Sequence, residues 1–233
     1  MKISVMIIAK NEENYLQDCL NSVKFADEIV VIDDYSTDST AEIARNFGAK
    51  VYKRKLDGFA SQKNFGIKKC INEWVLILDA DERLTSKLQK EIVSLRVKKE
   101  VAYDMPFRNY VGDFWLKHGG LYPDRHIRLI NKKFAYYGPR EIHETLIVDG
   151  KLGHLQNDIV HKTYSSYKEY FKKVKKYAAL EAKEDKKRPS WIYPLKMFYI
   201  KFFLEQGYKD RYNGLRSAFL LGYYQYYKRK LMK

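Results

Sequence analysis

VLILDADE, residues 75–82, decides how this chain is read. Four apolar residues, Val75, Leu76, Ile77 and Leu78, run straight into Asp79, Ala80, Asp81 and Glu82. The run is short, β-prone and apolar on both parities, which predicts a strand buried on both faces, as in a parallel sheet. Buried strands do not normally end in carboxylates. Three negative charges at one strand end repel each other and resist desolvation, so the stretch demands something positive.

The same rhythm extends to either side. Ile3 to Ala9, Glu28 to Asp33 and Ala49 to Lys53 read as further strands, and Trp74 leads into the quoted one. Between them, Asn14 to Val23, Ala41 to Phe47 and Gly58 to Lys69 have helical spacing; Thr85 or Ser86 caps another helix through Leu95. Strand alternating with helix predicts an α/β fold, a mostly parallel sheet flanked by helices. From Ala102 to about Tyr164 the rhythm changes to short β-like pieces (102–107, 126–130, 145–148) among Gly, Pro and Asn. Ser166 and Glu169 form a capping-box pattern before a Lys/Tyr-rich helix to about Lys187, and residues 191–206 and 211–230 read as two more amphipathic helices.

The 233 residues suffice for one good-sized core with a small appendage, and 45% hydrophobic with 31% charged residues is an ordinary globular composition. Cys19 and Cys70 lack a CxxC pattern and read as reduced, buried thiols of a cytoplasmic protein. The N-terminal apolar run is too short for a secretory signal, and no uncharged stretch is long enough to span a membrane. Charge is lopsided. Residues 1–150 carry 24 Lys/Arg against 22 Asp/Glu, whereas residues 151–233 carry 20 against 7 and 12 of the 20 tyrosines. Such a tail needs a negative partner surface, nucleic acid or anionic membrane. No nucleic-acid reader motif is present, so nucleic acid is set aside.

In parallel α/β sheets ligands bind beyond the C-terminal strand ends. Lys10-Asn11-Glu12, Asp33-Asp34 and Asp79-Ala80-Asp81 close three such ends. Neither GxGxxG nor GxxxxGK[ST] occurs, so no glycine loop cradles a phosphate. A hard divalent cation, Mg²⁺ or Mn²⁺, shared between carboxylates and a diphosphate would neutralise the cluster, and Asp-X-Asp (DxD) at a strand end suits it. A DxD alone also occurs by chance on solvated loops.

Taken in order, SVMIIAKNEE (4–13), EIVVIDDYSTDST (28–40), GFASQKNFG (58–66), WVLILDADE (74–82), RNYVGDFWLKHGGLYPDRHIRLI (108–130), EIHE (141–144) and DIVHKTY (158–164) are a far more specific set than any one block. Together they resemble the family 2 glycosyltransferases of the GT-A fold, most closely the bacterial lipopolysaccharide inner-core glucosyltransferases. The resemblance covers roughly residues 3–165. It implies a GT-A, Rossmann-like transferase domain over 1–165, followed by a basic, Tyr-rich helical extension over 166–233. It also implies an inverting, metal-dependent transfer of a sugar, glucose, from a UDP-sugar donor to a glycolipid acceptor in lipopolysaccharide biosynthesis. By position, Lys10, Asn11 and Glu12 would border the base pocket, and Asp33 would hold the uracil or ribose side. Lys63 and Asn64 would face the nucleotide, Asp79 the ribose and Asp81 the metal. Glu144 falls where related enzymes keep the catalytic carboxylate, and His161 where several keep a further metal ligand. Asp34-Tyr35-Ser36 stands where many relatives have a Ser-Gly pair.

Inversion requires a base for the acceptor hydroxyl and charge compensation for the leaving diphosphate. Glu144 is the expected base, with Asp124 second. Arg125 or Arg128 would add charge near the phosphates. His161 could equally be a satisfied strand histidine; Trp115, Tyr122 and Trp191 could stack on sugar or fill core. Two rival classes remain: a nucleotidyltransferase that makes nucleotide sugars, which usually shows a Gly-rich loop after the first strand, and a non-catalytic membrane-surface module on a GT-A fold. The tail implies a peripheral position on the inner face of the inner membrane, or a homo-oligomer through the C-terminal helices.

Overall fold

The computed structural model describes residues 1–138, 145–184 and 189–232, Glu184 by its backbone alone. In chain order the elements are β1 (Ile3–Ala9), α1 (Leu16–Asn21), β2 (Glu28–Asp33), α2 (Thr40–Asn46), β3 (Lys50–Lys53), α3 (Phe59–Lys69), β4 (Trp74–Asp79), β5 (Glu82–Leu84) and α4 (Ser86–Val93). They continue with β6 (Glu100–Val111), β7 (Phe114–Trp115), β8 (Asp124–Asn131), β9 (Ala135–Tyr137), β10 (Leu146–Val148), β11 (Lys151–His154) and β12 (Ile159–Tyr164). Three helices follow, α5 (Tyr167–Glu184), α6 (Tyr193–Tyr199) and α7 (Arg211–Leu231). The main sheet runs β3-β2-β1-β4-β8-β6-β12-β5, with β7 and β11 added to β6. The β3-β2-β1-β4 half is parallel and β8 joins β4 antiparallel.

Two compact units divide the chain: residues 1–106 with 125–160, and residues 107–124 with 161–233. In the first, Val5, Met6 and Ile7 of β1 and all of Val75 to Leu78 in β4 are fully buried. Covering both faces of these strands is what their unbroken apolar runs require, and each such side chain contributes roughly 1.5–3 kcal/mol. Helix α3 comes close to the sheet because Gly66 has no side chain: a Cβ there would lie 2.6 Å from Met6 Sδ and 3.0 Å from Ile32 Cγ1. Glu28, buried at the start of β2, accepts from Ser4 Oγ (2.6 Å), the Ile71 amide (2.8 Å) and Lys50 Nζ (2.8 Å). Thr85 is the residue that caps α4, its hydroxyl accepting from the Leu88 amide at 3.3 Å.

The second unit has its own core of Val111, Leu116, Tyr170, Val174 and Leu220. The capping box expected at Ser166 is shared by two serines. Ser166 Oγ accepts from the Glu169 amide (3.3 Å), whereas the Glu169 carboxylate reaches back to the amide and hydroxyl of Ser165 (2.7 and 2.8 Å). Helix α6 runs on through a π-helical turn, Ile200–Leu204, and a 3₁₀ turn, Gly207–Asp210, joins it to α7.

Candidate functional site

Register sets the rim of the first unit. Ala9 pairs with Asp33, and Ile8 with Asp79, so β1, β2 and β4 end level and the chain leaves all three at one edge. The loops beyond β1 and β2 are laced together. Lys10 Nζ meets Asp34 Oδ2 at 2.7 Å. Asn11, at φ +55°, donates its amide to Ser36 Oγ (3.0 Å) and accepts the Thr37 amide on Oδ1 (2.8 Å). The Glu12 amide donates to Thr40 Oγ1 at 2.7 Å. Tyr35 lies at φ +50°, a conformation that glycine takes without cost, and its side chain is exposed.

Asp33 is completely buried. Its Oδ1 accepts the Ser36 amide at 3.1 Å, and its Oδ2 is buried with no hydrogen-bond partner among the described residues. A buried carboxylate oxygen without a donor carries a desolvation cost that a donor group would recover. Lys63 is buried, its ammonium 5.2 Å from the Tyr137 ring centre. Asn64 clamps the Tyr137 backbone from both sides, its Nδ2 donating to the carbonyl (2.8 Å) and its Oδ1 accepting the amide (2.9 Å). In this structure that side chain holds β9 to α3.

The carboxylates of the quoted stretch find their counter-charge on β8. Arg128 Nη2 reaches Asp79 Oδ2 at 3.2 Å and also binds Glu82 Oε1. Glu82 is fully buried, and its other oxygen accepts the Asp79 amide at 3.1 Å. Burial would pull the Arg128 guanidinium down, but Glu82 and Asp79 outweigh it and hold its pKa above the ordinary arginine value. The cluster also acts on Cys19. Burial, then the charges of Glu82, Asp81 and Asp79, push that thiol well above its usual range, so it stays protonated. Asp81 lies half-buried in the turn between β4 and β5. Arg125, the other arginine candidate, is occupied at Asp104 Oδ1 (2.5 Å) and the Leu155 carbonyl (2.7 Å), beside His154.

Asp124 and His161 belong to the second unit, where Asn109 joins them. Asn109 Nδ2 donates to Asp124 Oδ2 at 3.0 Å, and its Oδ1 faces His161 Nδ1 at 2.9 Å. A carboxylate only accepts, so the amide nitrogen must face Asp124 and the oxygen must face the imidazole. His161 Nδ1 therefore carries a proton and donates it to Asn109 Oδ1, which in the neutral ring makes Nε2 the acceptor nitrogen. The Phe107 ring stands edge-on to the imidazole at 6.0 Å. Trp115 lies between Arg108 and Lys117, each 4.6 Å from its ring centre. Glu144 lies outside the described residues.

Among the described residues, no three His, Cys, Asp or Glu side chains form a ready-made metal cage. The donor set at the rim suits instead a hard cation that keeps most of its shell for water and a diphosphate and takes one or two carboxylates from the protein. Asp81, half-buried beyond the end of β4, is the residue there that could offer such a carboxylate. Sequence reading missed two participants. Glu82 was in plain view, three residues after Asp79, but its role depends on β8 pairing with β4. Asn109 sits inside the 108–130 block with no distinguishing neighbour.

Comparison with known proteins bears on this arrangement. Residues 4–148 match the family described as glycosyl transferase family 2. An uncharacterized glycosyltransferase of Rickettsia typhi is 36% identical over 199 residues, 78% of this chain and 68% of that protein. The lipopolysaccharide core biosynthesis glycosyltransferase LpsC of Rhizobium meliloti is 27% identical over 222 residues, 89% of this chain and 82% of its own length. Among solved structures, TarS of S. aureus is similar with a TM-score of 0.49 and 17% identity, over 91% of this chain and 46% of that one.

Proposed function

Because this chain belongs to glycosyl transferase family 2, an enzyme family of α/β, GT-A fold, we propose that it transfers glucose, with inversion, from a UDP-sugar to a glycolipid of the lipopolysaccharide core. The acceptor class is carried over from the name of LpsC. The observation that carries the donor part of the reading is Asp33: a buried strand-end carboxylate oxygen with no hydrogen-bond donor among the described residues, at the edge where an α/β sheet takes its ligand. A uracil N–H or a ribose hydroxyl would supply that donor. Lys10, Asn11 and Glu12 lie on the loop beyond β1 that borders the same edge, with Lys63 on α3, Asp79 at the end of β4 and Arg128 reaching it from β8.

In this reading Asp81 would hold Mg²⁺ or Mn²⁺ at the rim, and His161 is the second residue that would serve as a ligand. When bound, the cation supplies charge compensation for the leaving diphosphate. The chain's own residues do the rest. Arg128 pairs with both Asp79 and Glu82 and so holds the Asp79 carboxylate in place, and in this reading that carboxylate meets the ribose. A carboxylate accepts the proton of the attacking hydroxyl, Glu144 first and Asp124 second. Asn109 holds both Asp124 and the His161 ring. Residues 1–165 form the transferase part and 166–233 the basic extension, and a lipid-borne acceptor puts the enzyme at the inner face of the inner membrane.

The test is turnover of a panel of nucleotide sugars with Mn²⁺ and with EDTA. The expected result is slow release of UDP from one UDP-hexose, lost in EDTA. Release of pyrophosphate from a nucleoside triphosphate and a sugar phosphate would make the protein a nucleotidyltransferase. No turnover of any donor, with or without lipid acceptor extract, would make it a non-catalytic module.

A further inference from the structure

The C-terminal hairpin presents a face that its own interior does not use. Helix α7 closes on its neighbours at glycines: a Cβ at Gly222 would lie 2.9 Å from the Pro194 carbonyl of α6, and one at Gly214 would clash with the Gly207 carbonyl in the 3₁₀ turn. The inward side of α7, including Gly214, Ser217, Ala218 and Gly222, is buried. The outward side is apolar as well. Trp191 just before α6, Leu195 and Tyr199 on it and Phe203 in the π-helical turn recur every fourth residue, at 65, 70, 53 and 50% exposure; the Tyr199 and Phe203 rings lie 5.3 Å apart, and the Arg229 guanidinium lies 4.0 Å over the Trp191 ring. Tyr212 and Phe219 on α7, at 61 and 58%, add to the exposed aromatic surface. Large apolar side chains gathered on one hairpin mark a binding face rather than scattered exposure.

Charge says what binds there. Residues 189–233 hold nine Lys/Arg and two acidic residues. Both acids are engaged: Glu205 pairs with Lys201 at 2.6 Å, and the buried Asp210 accepts the amides of Lys117 and His118 (2.8 and 2.9 Å) and faces the His118 ring. Lys201 is taken up by Glu205 and the buried Lys228 by Glu181 (2.8 Å), yet the segment keeps a positive balance, so the apolar face sits on a cationic hairpin. A second copy would set like charges against each other. Nucleic acid would not reward burial of Leu195 or Phe203. An anionic bilayer satisfies both features, with acyl chains for the stripe and headgroups for the lysines and arginines; Trp and Tyr suit the boundary between the two. No helix among the described residues is long and apolar enough to cross a membrane.

We infer that the α6–α7 hairpin lies in the plane of an anionic bilayer, with the Trp191–Leu195–Tyr199–Phe203 stripe inserted at the headgroup boundary. The inference rests on the proposed glycolipid acceptor only for its biological sense, and the two fail separately.

The experiment is flotation of the full chain with phosphatidylcholine vesicles, pure and with about one third phosphatidylglycerol, at low and high salt, without donor or metal. The expected result is binding to the anionic vesicles alone, weakened by salt, with the Trp191 emission shifted to the blue and the shift absent in Trp191→Phe. Leu195→Glu/Phe203→Glu is expected to lower the partition coefficient about tenfold or more at unchanged melting temperature. The milder Leu195→Gln serves as a second probe should the double variant misfold, with a severalfold loss expected. Wild type that stays unbound at low salt, or a folded variant that floats like wild type, overturns the inference. So does a concentration-dependent dimer that the double variant abolishes. Donor turnover is unaffected by the first two outcomes, so failure of flotation leaves the catalytic reading standing, and a silent donor panel leaves flotation standing.

Discussion

Replacing Arg128 with methionine tests whether the VLILDADE carboxylates are held by the protein itself. Arg128 binds Glu82, which is fully buried, and Asp79, whose side chain is 32% exposed. Methionine keeps much of the volume and removes the charge. Asp79 can then turn to water; Glu82 cannot. Leaving one partner of a buried ion pair uncompensated costs about 3–5 kcal/mol. At roughly 2–4 °C per kcal/mol for a chain of this size, the melting temperature should fall by about 6–20 °C. The double variant Arg128→Met/Glu82→Gln removes the orphaned charge and should regain at least half of the loss, since replacing both partners is far cheaper than breaking the pair. Arg128→Lys should fall between, because one ammonium does not reproduce the fork that spans two carboxylates. Calorimetric or fluorescence-detected melting of the four proteins reads this directly. A loss below about 1 kcal/mol for Arg128→Met, or a double variant no more stable than the single one, would refute the reasoning.

Three further outcomes follow from named contacts. Burial would raise the Glu28 carboxyl, but hydrogen bonds from Lys50, Ser4 and Ile71 outweigh it and leave it below the ordinary value; Glu100 is drawn down to about 2 by Lys151 and local amides. A depressed carboxylate stabilises the fold above the unfolded-state pKa and loses that contribution as pH falls through the folded one, so the urea midpoint should drop from about pH 4.5 downward, and Glu28→Gln should flatten that limb. Gly66→Ala should destabilise by about 1–3 kcal/mol in urea unfolding, because its methyl meets the fully buried Met6 side chain, and a neutral or stabilising effect would contradict the close packing. Asn109→Ala should move the His161 proton from Nδ1 toward Nε2, seen as an exchange of the two ring ¹⁵N shifts, and an unchanged spectrum would remove Asn109 from that role.

The first hundred residues were legible because buried parallel strands and the helices between them announce themselves. Ile3–Ala9 and Glu28–Asp33 have the bounds that their apolar runs predict, and α3 differs from its prediction by one residue. Beyond residue 100 the signal fades for a physical reason. Strand β6 was read as 102–107 but spans Glu100–Val111, because Arg108, Asn109 and Tyr110 break the apolar run. Strands β7, β9 and β11 have two to four residues each and exist through pairing that no local pattern encodes. The site divides in the same way. Strand ends could be read as a rim, since chain direction fixes where they emerge. The partners of each carboxylate could not, since Arg128 reaches Glu82 across 46 residues and Asn109 reaches His161 across 52.

The account's central claim is that the rim of β1, β2 and β4 takes a UDP-sugar together with a divalent cation on Asp81. The measurement that meets it most directly is calorimetric titration of UDP into wild type and Asp81→Asn, each with Mn²⁺ and with EDTA. The account predicts that EDTA weakens UDP binding to wild type by about tenfold or more, at least about 1.4 kcal/mol, and that Asp81→Asn in Mn²⁺ binds UDP no better than wild type in EDTA while melting at the wild-type temperature. Equal UDP affinity in all four titrations, or an Asp81→Asn protein that keeps the full Mn²⁺ response, would contradict it.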